Sequence, residues 1–440
     1  MSSSLLRVFS PALMFLLVSG CGGSSGSSSS GGGPAAVNIT FAPATPTVVA
    51  AQIGSGAFTM QTASSSGLSL SLPSGTTTFA VAYVCNPPAA TSGSQPVVQP
   101  NEYVVEASTE DGTSFQLPCS LGIPGSSPGQ TGTLAVNVNA SGIPGASNLY
   151  FVAENGSNTS GWPSTTANAS GSFAAPAGND RVEVFASTSS SGFFGKVLAA
   201  RAFPNQTVPG SLNGGAAVAL GSADEATPEP ITYQNIPTGF QPGAAFVSLN
   251  MGPTSYLLED ATTQYDALPA TAMVSGDYYT LTGDAIRALP ANGAPQTPPI
   301  AEVAVTVNST SGGPMTFNLP APWIYAGPTP ATWPTFDFSG YTGFAGQSGV
   351  YDTGTLTWTT GAGLDNYSVS ISASANYLRG ATSLTVPDLS GLQGFLSPPG
   401  SGTQVTWVAK IFQDSNGYMQ PAQPNSTVPS VLNEGGYNEP

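Results

Sequence analysis

Leu68-Ser69-Leu70-Ser71-Leu72 alternates leucine with serine. Successive side chains of an extended chain point to opposite faces, so this stretch has one apolar face and one hydroxyl face. A helix would scatter the same leucines around its circumference. The same period returns in Leu134-Ala135-Val136-Asn137-Val138, Val303-Ala304-Val305-Thr306-Val307, Val369-Ser370-Ile371-Ser372-Ala373 and Val405-Thr406-Trp407-Val408-Ala409. Clusters of Pro, Gly, Ser and Asn between such runs supply turns. From Val37 to Phe412 the chain therefore reads as all-β, in tandem antiparallel β-sandwich domains. Only Asp388-Leu389-Ser390-Gly391-Leu392-Gln393-Gly394-Phe395 predicts a short helix, capped by Asp388 and weakened by its two glycines.

Composition removes several functions. The 440 residues include 7 Lys+Arg, 23 Asp+Glu and no histidine, for a net charge of −16. Without histidine there is no Ser-His-Asp or Cys-His catalysis, no His-ligated metal and no imidazole proton shuttle. The basic residues beyond the N-terminal leader (Arg181, Lys196, Arg201, Arg287, Arg379 and Lys410) are scattered singly, so no basic face exists for nucleic acid. Disorder does not describe the whole chain, because 40% of it is apolar and 9% aromatic. At this length roughly two to four domains are expected.

The amino end has its own logic. One positive charge, Arg7, precedes the apolar stretch Val8–Val18, which is too short for a bilayer span of roughly 20 residues. It closes on Val18-Ser19-Gly20-Cys21, and Gly22 to Gly33 holds only glycine and serine. Such a tether reaches roughly 5–6 Å × √12, or about 20 Å. The run ending at Cys21 resembles the lipobox of bacterial lipoproteins. That resemblance implies a signal peptide over 1–20, a thioether-linked diacylglycerol on Cys21, and a fatty-acylated new amino end, palmitate being the typical acyl group. It also implies a lipid-anchored, extracytoplasmic place in the cell envelope, with the bilayer as a partner. Gly22 after the cysteine, where retained lipoproteins carry aspartate, points to the outer membrane in a two-membrane bacterium. No later stretch reaches 18 apolar residues.

Removing Cys21 leaves Cys85 and Cys119, an even pair that an oxidising compartment would join. Two buried free thiols are the alternative.

An internal repeat divides the chain. Ser66-Gly67, Pro73-x-Gly75 and Phe79-x-Val81 return as Ser170-Gly171, Pro176-x-Gly178 and Val182-x-Val184. Strand, Pro-x-Gly turn, strand is the physical content. The arrangement resembles prealbumin-like and carboxypeptidase-regulatory-like sandwiches, which implies a fold and no activity. The expected organisation is a leader (1–20), the lipidated cysteine and tether (21–35), sandwiches at 36–122 and 131–222, and one larger sandwich or jelly-roll-like domain at 231–440. A split near Pro290–Pro299 is an alternative. A second echo pairs Pro204–Asn213 with Pro424–Asn433, seven of ten positions agreeing, as if both closed a sandwich in the same way.

Candidate chemistry is sparse, and no specific activity is legible. Gly125-Ser126-Ser127-Pro128-Gly129 matches G-x-S-x-G formally but sits in a linker and lacks a histidine base. Neither lysine has a serine three residues before it. Glu259-Asp260, followed by Asp266, Asp277 and Asp284, is the densest acidic region, and paired acids suffice for glycoside hydrolysis. Adjacent acids on a strand face opposite ways, however. Asp414-Ser415-Asn416-Gly417 and Glu110-Asp111-Gly112 hold fragments of a calcium loop, and turn-stabilising Asx groups explain them better. Trp323, Tyr325, Trp333, Phe336, Phe338, Tyr341 and Phe344 crowd into one stretch. Trp323, Tyr325 and Trp333 are candidate ligand-stacking aromatics, while core packing accounts for the same residues. The leading expectation is a non-enzymatic surface lipoprotein that binds an envelope protein or glycan or serves as an envelope structural element, with no metal or cofactor. The alternative is a carbohydrate-active hydrolase using paired carboxylates within 231–440.

Overall fold

The structure, a computed structural model, describes residues 35–64, 67–85, 98–119, 132–154, 166–188, 196–252, 254–288, 300–360, 365–420 and 423–438. Cys21, the glycine-serine tether, Gly125–Gly129 and Pro290–Pro299 lie outside these residues. The fold is all-β, 58% strand. Among the described residues, helix is limited to one turn at Ala375–Leu378 and two 3₁₀ turns. The helix expected at 388–395 does not form. Asp388 instead accepts the Ser390 N–H at 3.0 Å in an Asx turn, and Gly394 adopts φ +92. A Cβ at Gly394 would also collide with Val48.

Each quoted alternation is a strand. Leu68–Leu72 alternates strictly between buried leucine and exposed serine, and Gly132–Asn139 alternates the same way. Both Pro-x-Gly turns carry the chain from a strand of one sheet to a strand of another, with Gly75 at φ +82 and Gly178 at φ +120. Asn205 and Asn425 of the second echo share a left-handed backbone. The echo diverges beyond them: a strand ends at Val208, whereas one begins at Thr427.

The architecture is one large sheet with layers on both faces. Its strands run, edge to edge, through Thr254–Ala261, Ala245–Met251, Tyr278–Ala288, Ile300–Ser309, Thr427–Asn438, Gln404–Gln413, Val350–Thr360, Asp365–Ser374, Val98–Ser108, Thr78–Cys85, Val48–Ile53 and Thr59–Gln61. Neighbours are antiparallel except Asp365–Ser374 and Val98–Ser108, which pair in parallel. Hydrogen bonding therefore joins strands from 36–122 and 231–440 into a single sheet.

One face, at the Val48–Ser108 end, is covered by the three strands Leu68–Leu72, Ala35–Pro43 and Ser114–Cys119. Val37, Ile39, Leu72, Phe79, Val81 and Leu117 fill the space between. Cys85 and Cys119 are disulfide-bonded across these layers, with Cα atoms 5.6 Å apart. A second sandwich sets Asn168–Ala175 and Gly132–Asn139 against Val197–Val208, Gly178–Ser187 and Asn148–Ala153, around Leu134, Phe151, Phe173 and Val184.

The third and largest core lies on the opposite face of the large sheet. Its cover is a three-stranded sheet (Gln264–Ala267, Thr227–Gln234, Met315–Asn318), the two-stranded sheet Thr335–Asp337 with Ser383–Thr385, and coil within 319–334, 338–349 and 386–403. The cover can lie this close because two positions of the large sheet carry no side chain. The ring of Phe317 sits on Gly283 and that of Phe336 on Gly354, where any Cβ would collide with the ring.

Candidate functional site

Among the acids singled out above, the structure brings Glu259 and Asp266 together. Glu259 belongs to Thr254–Ala261 and Asp266 to Gln264–Ala267, strands joined by a two-residue turn at Thr262-Thr263. A bulge inserts Leu258 between the pairs Val247–Glu259 and Ser248–Leu257. It breaks the alternation, so Leu258 and Glu259 are both buried while Asp260 stays exposed. Glu259 Oε1 accepts the backbone N–H of Asp266 at 2.5 Å, and the two carboxyl groups hydrogen-bond each other. Lys196, arriving from the second sandwich, places Nζ 3.1 Å from Asp266 Oδ1.

These groups line a half-open polar pocket of about 220 Å³ with Asp260, Thr262 and Gln264. Burial pushes Glu259 up to about 7 and raises Asp266 as well, despite the nearby ammonium. One proton shared between the two carboxyls is the arrangement such desolvation favours. The pocket can hold a small polar group by hydrogen bonds. A glycosidase pair, by contrast, stands roughly 5–9.5 Å apart to admit a sugar or water.

Asp277 joins a different cluster, accepting from Arg181 Nη1 at 2.7 Å. Asp284 lies apart, its carboxylate against Gly243. Sequence reading did not find Arg181, Glu183 or Lys196, whose basic members looked isolated along the chain. Arg181-x-Glu183 was the available signal, since two strand residues at that spacing share a face.

The aromatic candidates are placed unevenly. Trp323 is 3% exposed, stacked between Tyr325 (centroids 5.0 Å apart) and Phe338 (5.4 Å). Tyr325 and Trp333 are half-buried and pack against the same core. The faces of Trp323 are spent on Tyr325 and Phe338, and Tyr325 also meets Trp407 edge-on.

The calcium-loop fragments are turns. Asp414 Oδ1 accepts the Asn416 N–H at 2.8 Å. Asp111 accepts from Ser108 N–H (2.8 Å), Ser374 Oγ (2.5 Å) and Asn376 Nδ2 (2.7 Å), tying its turn to the helix at Ala375–Leu378. No group of three or more Cys, Asp or Glu among the described residues is arranged to hold a metal ion.

Fold and sites together define an all-β protein of layered, sandwich-like build. No protein-family model matches the chain, and no curated protein matches it.

Proposed function

We propose that this chain is a lipid-anchored, extracytoplasmic lipoprotein that acts without catalysis, by binding an envelope protein or glycan or as a structural element of the envelope. The observation that carries the reading is Val18-Ser19-Gly20-Cys21 followed by a glycine-serine spacer that ends just before the first strand, at Ala35. Joined cysteines at 85 and 119 support an oxidising compartment. Two Pro-x-Gly turns with matching left-handed glycines support prealbumin-like modules in the first two sandwiches. The direct contact between Glu259 and Asp266 supports binding over glycoside hydrolysis, because nothing fits between them.

Crosslinking and pull-down from intact envelopes tests this, comparing wild type with Cys21→Ser. Wild type is expected in the membrane fraction with captured envelope partners, and Cys21→Ser is expected to lose both. Recovery of both proteins from the cytosol would contradict the proposal.

A further inference from the structure

The ion pairs of the described residues all gather at one place, the contact between the second sandwich and the large sheet with its cover. Of the six basic residues beyond the leader, three stand there: Arg181, Lys196 and Arg201. Arg181 is 5% exposed and donates to Glu183 Oε2 (3.0 Å), Asp277 Oδ1 (2.7 Å) and the Ala272 carbonyl (3.0 Å). Lys196 meets Asp266, which hydrogen-bonds Glu259. The rings of Phe185 and Tyr256 stack across the same contact, 5.4 Å between centroids, and Ala202 N–H donates to the Thr271 carbonyl at 2.9 Å.

We propose that this contact is a proton-operated joint: at Arg181 two carboxyl groups, Glu183 beside it and Asp277 across the contact, face one cation, so the joint closes with a proton bound and loosens as it leaves. Arg181 faces Glu183 and Asp277, and Lys196 faces Asp266 and Glu259. The surroundings add negative charge rather than relieve it. Glu154 and Asp180 approach Arg181 from the sandwich, and Tyr279 faces Glu183 and Asp277 from the sheet. Asp260 lines the Lys196 pocket, and Tyr265 lies near Glu259 and Glu229. Arg201 is different. It grips Asp224 through Nε and Nη2, one cation to one carboxylate, within the sandwich.

The direction follows from burial. Desolvation holds Glu183 up to about 8, against the pull of Arg181, and the Asp277 charge across the contact adds to the rise. A carboxyl raised in the closed state gives stability that is complete below its ordinary value. That stability is lost as pH climbs through the raised value. The joint is therefore tight in mild acid and loosens toward pH 8. The ligand is the proton itself, and the proposal stands whether or not Cys21 is lipidated.

Hydrogen exchange on the full mature chain tests it, comparing wild type with E183Q, whose amide stands in for the protonated carboxyl. After correction for intrinsic exchange, wild-type protection at residues 181–187 and 268–279 should fall as pH rises from about 5 to about 8, by up to roughly tenfold per pH unit per proton released. Strand Gln404–Gln413, which pairs with the strand of the buried Asp352, should fall less, and E183Q should lose the excess fall at 181–187 and 268–279. Constant wild-type protection, an equal fall in the variant, or an equal fall in Gln404–Gln413 would overturn the proposal. If E183Q does not fold, Asp277→Asn is read in its place and is expected to weaken the dependence.

Discussion

Asn433 and Trp323 are joined by a buried hydrogen bond: the Asn433 Nδ2 donates to the Trp323 carbonyl at 3.2 Å. Its Oδ1 accepts from the Tyr325 N–H, also at 3.2 Å. Asn433 is fully buried in the middle of the large sheet, between Ala301 and Ala409. One side chain thus satisfies two backbone groups of a coil that has no strand partner there. A buried unpaired polar group costs about 1–3 kcal/mol, so Asn433→Ala should destabilise by at least that range. Thermal unfolding gives the value, and an unchanged melting temperature would contradict this role.

Trp323 itself is expected to behave as a core residue. Trp323→Ala should cost about 3–5 kcal/mol, the range for emptying a buried aromatic site. Polysaccharide retention measured beside the melting temperature separates core from surface roles. Loss of retention with full thermal stability would restore Trp323 as a ligand contact.

Three buried acids set the pH dependence of the large sheet. Burial lifts Glu102, Glu106 and Asp352 each to about 7. Glu102 accepts the Leu396 N–H at 2.9 Å, and Glu106 meets the Tyr377 hydroxyl. The native state therefore binds more protons than the unfolded chain between the ordinary carboxyl range and about pH 7. Stability should decline as pH rises through that window. Melting temperatures across the range check it, and Glu102→Gln should flatten the slope. A melting temperature that rises from pH 5 to 7 would contradict the assignment.

The Cys85–Cys119 bond closes a loop of 34 residues across two layers. In the chain-entropy model such a crosslink contributes about 3–4 kcal/mol. Reduction should lower the melting temperature of the whole chain accordingly, as read by calorimetry with and without reductant. No change on complete reduction would mean that the layers hold without it.

How far the sequence disclosed this structure depends on whether a feature is local. Leu68–Leu72 and Leu134–Val138 revealed their strands because a sheet with one wetted face writes its period into adjacent residues. Pro73-x-Gly75 revealed a turn because glycine alone accepts that backbone cheaply. The parallel pairing of Val98–Ser108 with Asp365–Ser374 left no such trace, since its partners lie far apart along the chain. Nor did the Glu259–Asp266 pair, which depends on the bulge at Leu258 turning an acid inward where strict alternation would assign its neighbours. Gly283 and Gly354 are each a seat for a phenylalanine ring from the covering layer, a role that only the folded neighbours define.

The amino end decides the functional account. Mass spectrometry of the chain purified from envelopes reads it directly. The account predicts a first residue at Cys21 carrying a thioether-linked diacylglycerol and an acylated amino group. An intact leader, or an acyl-free amino end beginning at another residue, would contradict it.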